Sequence, residues 1–367
     1  MVRQAIDLVT HKLRLNTHWE DYYRFGFYRR DMPWSEKELY LSDHGSYYWH
    51  WEGNSLKFDR LFIRKSMQNS VLAAEGIRTP QMFFKAGTDC AVNNAEALGA
   101  ELAKIDVPFL TKFDGGGGGA RNLAFEPEEG GFRSNDEIVD AEWIWRQYEG
   151  VGDTGFLVEE RVRNHEDIAR IYPLSLNTLR LNLVKTADGK WHQLMPMIKF
   201  GRGGSHVDNS SAGGLSAAVD HDGRIGRVFN NEQVEFDGHP DTGEEISGQV
   251  VPYFEEAREL ALRACKVFGF MATIGWDVGI TPEGPTIIEG NPAWHSRNYQ
   301  DALGPFLTRE IAAGLSPRKA WTPWDKTRMS PGYMDHADGG WRQRYLSARR
   351  KRLRLKALER LQQASRQ

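Results

Sequence analysis

The chain has few cysteines and no long apolar run, and each absence excludes a class of protein. Its 367 residues include only 2 cysteines, Cys90 and Cys265, which cannot build a disulfide framework or a four-cysteine zinc site. No segment reaches the roughly 18 uncharged apolar residues of a membrane-spanning helix, and the charged N-terminus is unlike a signal peptide. These absences predict a cytoplasmic protein without a membrane span.

Two standard nucleotide-binding motifs are also missing. The glycine run at 115–119 is not followed by the Gly-Lys-Ser/Thr of a P-loop. Gly115, Gly117 and Ala120 imitate a dinucleotide fingerprint, but no helix is predicted after them whose N-terminus would bind a pyrophosphate. A nucleotide site in this chain must therefore be built in another way.

The formal net charge of -3 combines an acidic body with a basic tail. From Trp341 onward ten Lys and Arg residues stand against one acidic residue, Glu359, so the tail carries +9 and residues 1–340 carry −12. This tail, with the aromatic residues and arginines that alternate in the first sixty positions, leaves open a protein that binds polyanions or a membrane surface. The favoured interpretation is a packed aromatic N-terminal region and a tail helix that docks on the acidic body.

The order of predicted elements divides the chain into five segments. At 367 residues, with 40% hydrophobic and 26% charged residues, the chain is long enough for more than one core. Helices are predicted at 58–76, 92–104 and 135–148, and a strand at 155–162. The five segments are a helical N-terminal region, a helical lead-in, two α+β subdomains and the basic helical tail, at 1–57, 58–105, 106–162, 163–318 and 319–367.

The segment GWDVGITPEGPTIIEGNP carries the most informative pattern. If residues 282–284 form the turn, the hairpin is centred on Glu283, and Asp277 faces Glu289. Asn291 lies two residues beyond Glu289 and therefore shares its face. Two carboxylates and an amide oxygen on an otherwise apolar hairpin suit Mg²⁺, because such close like charges repel unless a cation separates them. The alternative is a pair of surface acids on an edge hairpin.

A glycine run follows Lys112 at the end of a short predicted strand. The run consists of Gly115, Gly116, Gly117, Gly118 and Gly119. Consecutive glycines are costly to order, and their backbone N–H groups can close over phosphates while a lysine supplies positive charge. A flexible loop without a function is the alternative.

Taken in order, these motifs resemble the ATP-grasp superfamily. They comprise the lysine before a glycine hairpin, the acidic strand LVEERV, the arginine of SLNTLRL and the acid–acid–amide hairpin. The strings HVDNSSAGG, HPDTG and WDVGI resemble its sugar-transfer-associated branch, which is related to glutamate-ligase-like proteins. The resemblance covers roughly residues 58–318 and implies an α+β ATP-grasp fold, with two α+β subdomains that clasp ATP. The aromatic-rich helical N-terminus and the basic C-terminal helix lie outside it.

The resemblance implies ATP with two Mg²⁺ ions, or Mn²⁺ in their place, as cofactors. Lys112 would bind the ATP phosphates beneath the glycine run, and Lys65 is the candidate for a second phosphate-binding lysine. The hinge that holds adenine would include Glu159, Glu160 and Val162. Glu166, seven residues after Glu159, would bind the ribose hydroxyls.

The resemblance also implies a catalytic set and a substrate side. Arg180 would act with Lys112 on the transferring phosphoryl group, and Asp277, Glu289 and Asn291 would hold the metal ions. The substrate-binding candidates are His206, Asp208, Asn209, Gly213, Gly214 and His295. Either histidine is also a candidate general base, whereas Lys199 and Arg202 are alternative partners for an anionic substrate.

The function that follows from the resemblance is an ATP-dependent carboxylate–amine ligase. It would form an amide through an acyl-phosphate and release ADP and phosphate. Its partners would be a small-molecule carboxylate and an amine, and a homodimer is left open. Two alternatives stay open at this stage: a small-molecule kinase on the same scaffold, and a polyanion-binding protein that uses the basic tail.

Overall fold

The computed structural model describes part of the chain, and the elements below are numbered within that part. The described residues are 2–15, 17, 19–41, 54, 61–62, 64–115, 122–149, 155–294, 296, 300 and 304–314. The chain divides into two compact units, Met1–Thr322 and Pro323–Gln367. The predicted basic tail helix lies outside the described residues.

The N-terminal region is helical and buries much of its aromatic content within itself. Its helices are α1 (Val2–Leu15), α2 (Trp19–Arg24) and α3 (Trp34–Lys37). Tyr22, Phe25 and Phe27 are buried in one cluster around the His11 ring. Buried rings cannot stack on bases, so this part of the chain offers less of the single-strand platform than the sequence suggested.

A six-stranded antiparallel sheet forms the first α+β layer. Its strand order is β1-β6-β2-β3-β4-β5, and helices α5 (Ala95–Leu102) and α6 (Ala141–Gln147) share its core. The strands are β1 (Met82–Ala86), β2 (Phe109–Phe113), β3 (Leu123–Glu128), β4 (Gly131–Ser134), β5 (Glu137–Val139) and β6 (Phe156–Glu160). The β2–β3 hairpin carries the glycine run, of which Gly115 is described and residues 116–119 are not.

Two sequence predictions in this layer are wrong. The segment 58–105 is not purely helical, because β1 pairs with β6 and so joins the first sheet. The predicted helix at 135–148 begins later, because Glu137–Val139 pairs with β4 as strand β5. Helix α6 starts only after Asp140, whose carboxylate accepts the Trp143 N–H at 2.8 Å and caps it.

An eight-stranded sheet forms the second layer and carries the site. Its order is β12-β11-β10-β9-β7-β13-β14, with β8 also paired to β7. The strands are β7 (Thr178–Lys185), β8 (Trp191–Gln193), β9 (Met197–Phe200), β10 (Leu215–Val219), β11 (Ile225–Phe229), β12 (Glu235–Phe236), β13 (Thr273–Thr281) and β14 (Gly284–Asn291). Helices α4 (Lys65–Ala74), α7 (Glu166–Ile171), α8 (Phe254–Val267) and α9 (Arg309–Gly314) complete the described elements.

Strand β7 shows why one face of this sheet is apolar and the other polar. Leu179, Leu181 and Leu183 are buried in the core together with the apolar stripe of α8. The alternate residues Arg180 and Asn182 therefore point to the opposite face. This alternation explains why the polar side chains that β7 contributes to the site share one face of the sheet.

The β13–β14 hairpin pairs Asp277 with Glu289 as expected, but for a different reason. Thr281 pairs with Gly284, so Pro282 and Glu283 alone form the turn, and the predicted centre on Glu283 is wrong. A β-bulge at Ile288 shifts the register by one residue and brings Glu289 back opposite Asp277. The bulge thus restores the pairing that the site requires.

Gly290 lies between two predicted metal ligands and allows Trp276 to pack against the hairpin. A Cβ at Gly290 would lie 2.4 Å from Trp276 Cζ3 and 3.0 Å from Phe62 Cε1. We expect Gly290→Ala to lower the free energy of unfolding by about 1–3 kcal/mol, because the fully buried indole must shift. Urea unfolding measures the effect, with Gly226→Ala on β11 as control, since its nearest contact would be an ordinary 3.5 Å. An unchanged midpoint for Gly290→Ala would contradict this packing.

Candidate functional site

A cross-strand row of charged residues forms the centre of the site. Asp277 on β13 is paired with Arg180 on β7 on one side and with Glu289 on β14 on the other. Arg180 donates from Nε and Nη2 to the two Asp277 oxygens, each at 2.8 Å. Asn291 Nδ2 lies 3.3 Å from Asp277 Oδ2 and 3.4 Å from Glu289 Oε1. The structure therefore brings the predicted acid–acid–amide set together.

In the neighbouring cross-strand row the central residue is a glycine, which has no side chain. Gly275 is paired with Asn182 on β7 and with Asn291 on β14. A Cβ at Gly275 would lie 2.5 Å from Asn182 Oδ1 and 3.2 Å from Arg180 Nη1. Only glycine at this position leaves room for both side chains.

Three cations surround the two carboxylates. Lys65 Nζ lies 2.5 Å from Glu289 Oε2, and Lys199 Nζ lies 2.9 Å from Asp277 Oδ1. Burial opposes ionisation of Asp277, but Arg180 and Lys199 hold its pKa well below the usual range. Burial likewise opposes the charge on Glu289, and Lys65 outweighs it and lowers the pKa of that carboxyl. Both carboxylates are therefore ionised at neutral pH.

The donor set fits a magnesium ion. Two ionised carboxylate oxygens and an amide oxygen are hard ligands of the kind Mg²⁺ takes, and amide flips place either atom of Asn291 toward them. The cations on Asp277 and Glu289 show that this cluster needs positive charge to be stable. Asp277, Glu289 and Asn291 are the residues that would hold the ion.

Helix α4 positions Lys65 against the hairpin. Gln68 donates to Gly290 O at 3.0 Å and accepts the Gly290 N–H at 2.6 Å, so the helix is fixed to β14. Ser66 donates from N and Oγ to buried Asp114 at the end of β2. Burial opposes the charge on Lys65, but Glu289 outweighs it and raises the pKa of the ammonium. Lys65 therefore stays charged beside the β13–β14 hairpin.

Lys112 and Glu159 form a buried ion pair at the first sheet. Their Nζ and Oε1 atoms are 2.5 Å apart, and the two side chains are 4% and 2% exposed. Burial raises the pKa of Glu159, although Lys112 opposes this rise. Glu159 Oε2 is buried without a hydrogen-bond partner, and both residues line one cavity.

A cavity of about 510 Å³ brings together most of the predicted residues that the structure describes. The predicted residues that line it are Lys65, Lys112, Glu159, Glu160, Val162, His206, Asp208, Asn209, Asp277 and Glu289. Arg180 and Asn291 belong to the cross-strand rows instead. Glu166 is exposed and is not among the lining residues, so the structure separates it from the set. Gly116, Gly117, Gly118, Gly119 and His295 lie outside the described residues.

Two lining residues make contacts that the sequence did not predict. Lys199, an alternative partner of an anionic substrate in the sequence analysis, pairs with Asp277. Asn164 was missed; its amide donates to Ser175 O at 2.7 Å and accepts the Asn177 N–H at 2.9 Å. Neither role has a local sequence signal, because each depends on strands that are distant in the chain.

The loop after β9 forms the remaining wall. Asp208 accepts from Thr178 N and Oγ1, at 2.9 and 2.5 Å, and burial raises its pKa against the opposing effect of Lys199. A Cβ at Gly214 would lie 2.6 Å from Asp208 O, so the loop closes too tightly for any other residue. Gly213 has φ +87°, which favours glycine. These two glycines therefore shape the loop without lining the cavity.

A comparison with protein-family models gives one result over most of the chain. The model described as "Sugar-transfer associated ATP-grasp" matches residues 52–312. The chain belongs to this family. Membership confirms the expected family and fold class and makes the protein an ATP-grasp enzyme. No curated protein sequence matches the chain.

Solved structures with a similar fold are distant from this ATP-grasp protein. A biotin carboxylase complex from Campylobacter jejuni is 14% identical, with 75% of this chain and 50% of that one covered and a TM-score of 0.44. An L-amino acid ligase from Bacillus licheniformis is 14% identical, with 70% and 51% covered and a TM-score of 0.40. A D-alanine–D-alanine ligase from Bacillus anthracis is 16% identical, with 71% and 65% covered and a TM-score of 0.37. The chain thus spans about half the length of the biotin carboxylase and of the L-amino acid ligase. Its family is therefore assigned from the family-model match alone.

None of the described helices combines the length and the apolar content that crossing a membrane requires.

Proposed function

We propose that this ATP-grasp enzyme is an ATP-dependent carboxylate–amine ligase. The observation that carries the proposal is the facing pair Asp277 and Glu289, surrounded by cations on a wall of one cavity. Phosphoryl transfer needs charge neutralisation and positioning more than covalent help from the protein, and this arrangement supplies both.

The nucleotide would lie in the cavity, between the residues of the first sheet and the residues of the second sheet that line it. Lys65 and Lys112 would bind the ATP phosphates beneath the glycine run, since both residues line the cavity. Backbone groups at 160–162, which also line it, would hold the adenine. Bound Mg²⁺, or Mn²⁺, would supply charge neutralisation at the phosphates from its place on Asp277, Glu289 and Asn291.

The reaction needs two displacements. A carboxylate oxygen of the substrate attacks the γ-phosphorus, and the bond to the ADP oxygen breaks as ADP leaves. The amine then attacks the acyl carbon, and phosphate leaves as the amide forms. Arg180, held in place by two bonds to Asp277, would stabilise the charge that develops on the transferring group. The glycine run would exclude water, which would otherwise hydrolyse the acyl-phosphate.

The substrate carboxylate would bind at the wall formed by β9 and the loop after it. Lys199 is the cation on that wall, and His206, Asp208 and Asn209 line the cavity next to it. Asp208 is bonded to Thr178, so its role is to fix the wall rather than to act as a base. His206 is exposed and its Nδ1 donates to Leu174 O at 3.3 Å, so its Nε2 would accept the amine proton.

Hydroxylamine trapping tests the proposal. With ATP, Mg²⁺ and a panel of small carboxylates, we expect ADP release and an acyl-hydroxamate, because hydroxylamine replaces the amine in the second displacement. Omission of either ATP or the carboxylate should abolish the product. A stable phosphorylated product with no hydroxamate would indicate the kinase alternative. ATP binding without ADP release or hydroxamate across the panel would overturn the ligase proposal.

A further inference from the structure

The HPDTG segment, residues 239–243, reaches the loop after β9 from outside the cavity. His239 is 1% exposed, and its Nε2 lies 2.8 Å from Gly201 O. The Asp241 N–H donates to His239 Nδ1 at 3.3 Å, so Nδ1 is unprotonated and Nε2 carries the proton that Gly201 O accepts. The segment is not among the residues that line the cavity.

Two further side chains hold the next alternate residues of the same loop. Asp241 Oδ2 accepts the Gly203 N–H at 2.5 Å, and the Tyr172 hydroxyl donates to Ser205 O at 2.9 Å. Tyr172 also stacks on the His239 ring with centroids 4.9 Å apart. The loop backbone is therefore held at every second residue from 201 to 205.

The holding groups are themselves fixed. Thr242 Oγ1 donates to Ile171 O at 2.8 Å, at the end of α7, which directly precedes Tyr172. The Gly243 N–H donates to His239 O at 2.7 Å and closes the segment into a tight turn. A Cβ at Gly201 would lie 2.5 Å from Tyr172 Cε1, so the glycine admits the tyrosine ring. The turn at 239–243 and the loop after β9 are therefore both held in place where they meet, by hydrogen bonds and close packing.

The fixed residues lead directly into the substrate wall of the cavity. The loop continues from Ser205 into residues 206–209, which line the cavity beside Lys199. The phosphate lysines Lys65 and Lys112 belong to α4 and β2 instead. We propose that residues 239–243, together with Tyr172, position the carboxylate-binding wall of the site and take no part in binding ATP. This assignment rests on the proposed function for the identity of the substrate.

The variant Tyr172→Phe tests the proposal, because it removes the hydroxyl that holds Ser205 and little else. We expect hydrogen exchange of the amides at 201–209 to rise about tenfold, as loss of one buried hydrogen bond predicts. The affinity for Mg·ATP should stay within about twofold of the parent, because the nucleotide groups lie elsewhere. Tyr253→Phe is the matched control, since the Tyr253 hydroxyl makes only a long 3.4 Å bond to Pro282 O.

Conservative rescue separates positioning from general stability. His239→Gln keeps an N–H donor for Gly201 O and should retain most of the loop protection, whereas His239→Leu should lose it. Hydroxylamine trapping identifies the carboxylate substrate. We expect His239→Leu to raise the KM for that carboxylate and to leave the KM for ATP unchanged. Unchanged exchange at 201–209 in both Tyr172→Phe and His239→Leu would overturn the proposal. A loss of affinity for Mg·ATP as large as the loss of affinity for the carboxylate would also overturn it. Failure of hydroxamate formation alone would count against the ligase chemistry, not against the loop exchange.

Discussion

Lys112→Met is expected to abolish ADP formation and to destabilise the protein at the same time. Loss of a cation that neutralises phosphate charge in the transition state should reduce turnover by about two to three orders of magnitude. The substitution also leaves the 2% exposed Glu159 carboxyl without its cation. Removal of one partner of a buried ion pair typically costs about 3–5 kcal/mol of unfolding free energy. Steady-state ADP release and urea unfolding measure the two effects.

A double variant separates the two roles of Lys112. In Lys112→Met/Glu159→Gln the buried charge is gone, so we expect most of the lost stability to return while ADP formation stays abolished. Lys104→Met is the matched control, because Lys104 is 66% exposed on the surface and pairs only with Glu101. Recovery of turnover together with stability in the double variant would show that Lys112 acts only through folding.

Glu289→Ala is the second substitution with a large expected effect. It removes a proposed metal ligand and the partner of Lys65 in one step. Metal-ion charge stabilisation is worth several kcal/mol, so turnover should fall by about three orders of magnitude at saturating ATP. The unfolding free energy should change less than in Lys112→Met, because the Lys65 side chain is 13% exposed and can reach water. ADP release as a function of Mg²⁺ concentration measures the loss.

The same hairpin supplies the control for this substitution. Glu283→Ala removes a carboxylate of equal size from the turn, where its side chain is 68% exposed and contacts Arg78. We expect Glu283→Ala to turn over ATP like the parent protein. Parent-like turnover in Glu289→Ala would remove Glu289 from the metal set.

The grouping of Asp277, Glu289 and Asn291 could be predicted from sequence because hairpin pairing is local. Asp277 and Glu289 are only twelve positions apart, and alternation places Asn291 on their face. The bulge at Ile288 was not predicted, because the residues of the hairpin carry no turn or glycine signal at that position. The turn prediction and the missing bulge were compensating errors, and the correct pairing resulted from both.

Other parts of the site depend on contacts between distant segments and had no local signal. Glu159 was predicted as a hinge residue that acts through its backbone, whereas its side chain pairs with Lys112 across β2 and β6. Strand β1 was missed because its four half-buried residues and buried Ala86 show no alternation that would distinguish a strand from a helix. Glu166 was placed by its spacing from Glu159, but α7 begins there and leaves it exposed.

The Asp277–Glu289 hairpin is proposed to hold a divalent ion together with ATP. Retention of Mn²⁺ by the protein after rapid gel filtration with a non-hydrolysable ATP analogue tests it most directly, and requires no knowledge of the carboxylate. We expect the parent protein and Glu283→Ala to retain Mn²⁺ only when the analogue is present, and Glu289→Ala and Asp277→Asn to retain none. Equal retention of Mn²⁺ by Glu289→Ala, Asp277→Asn and the parent protein would contradict this account.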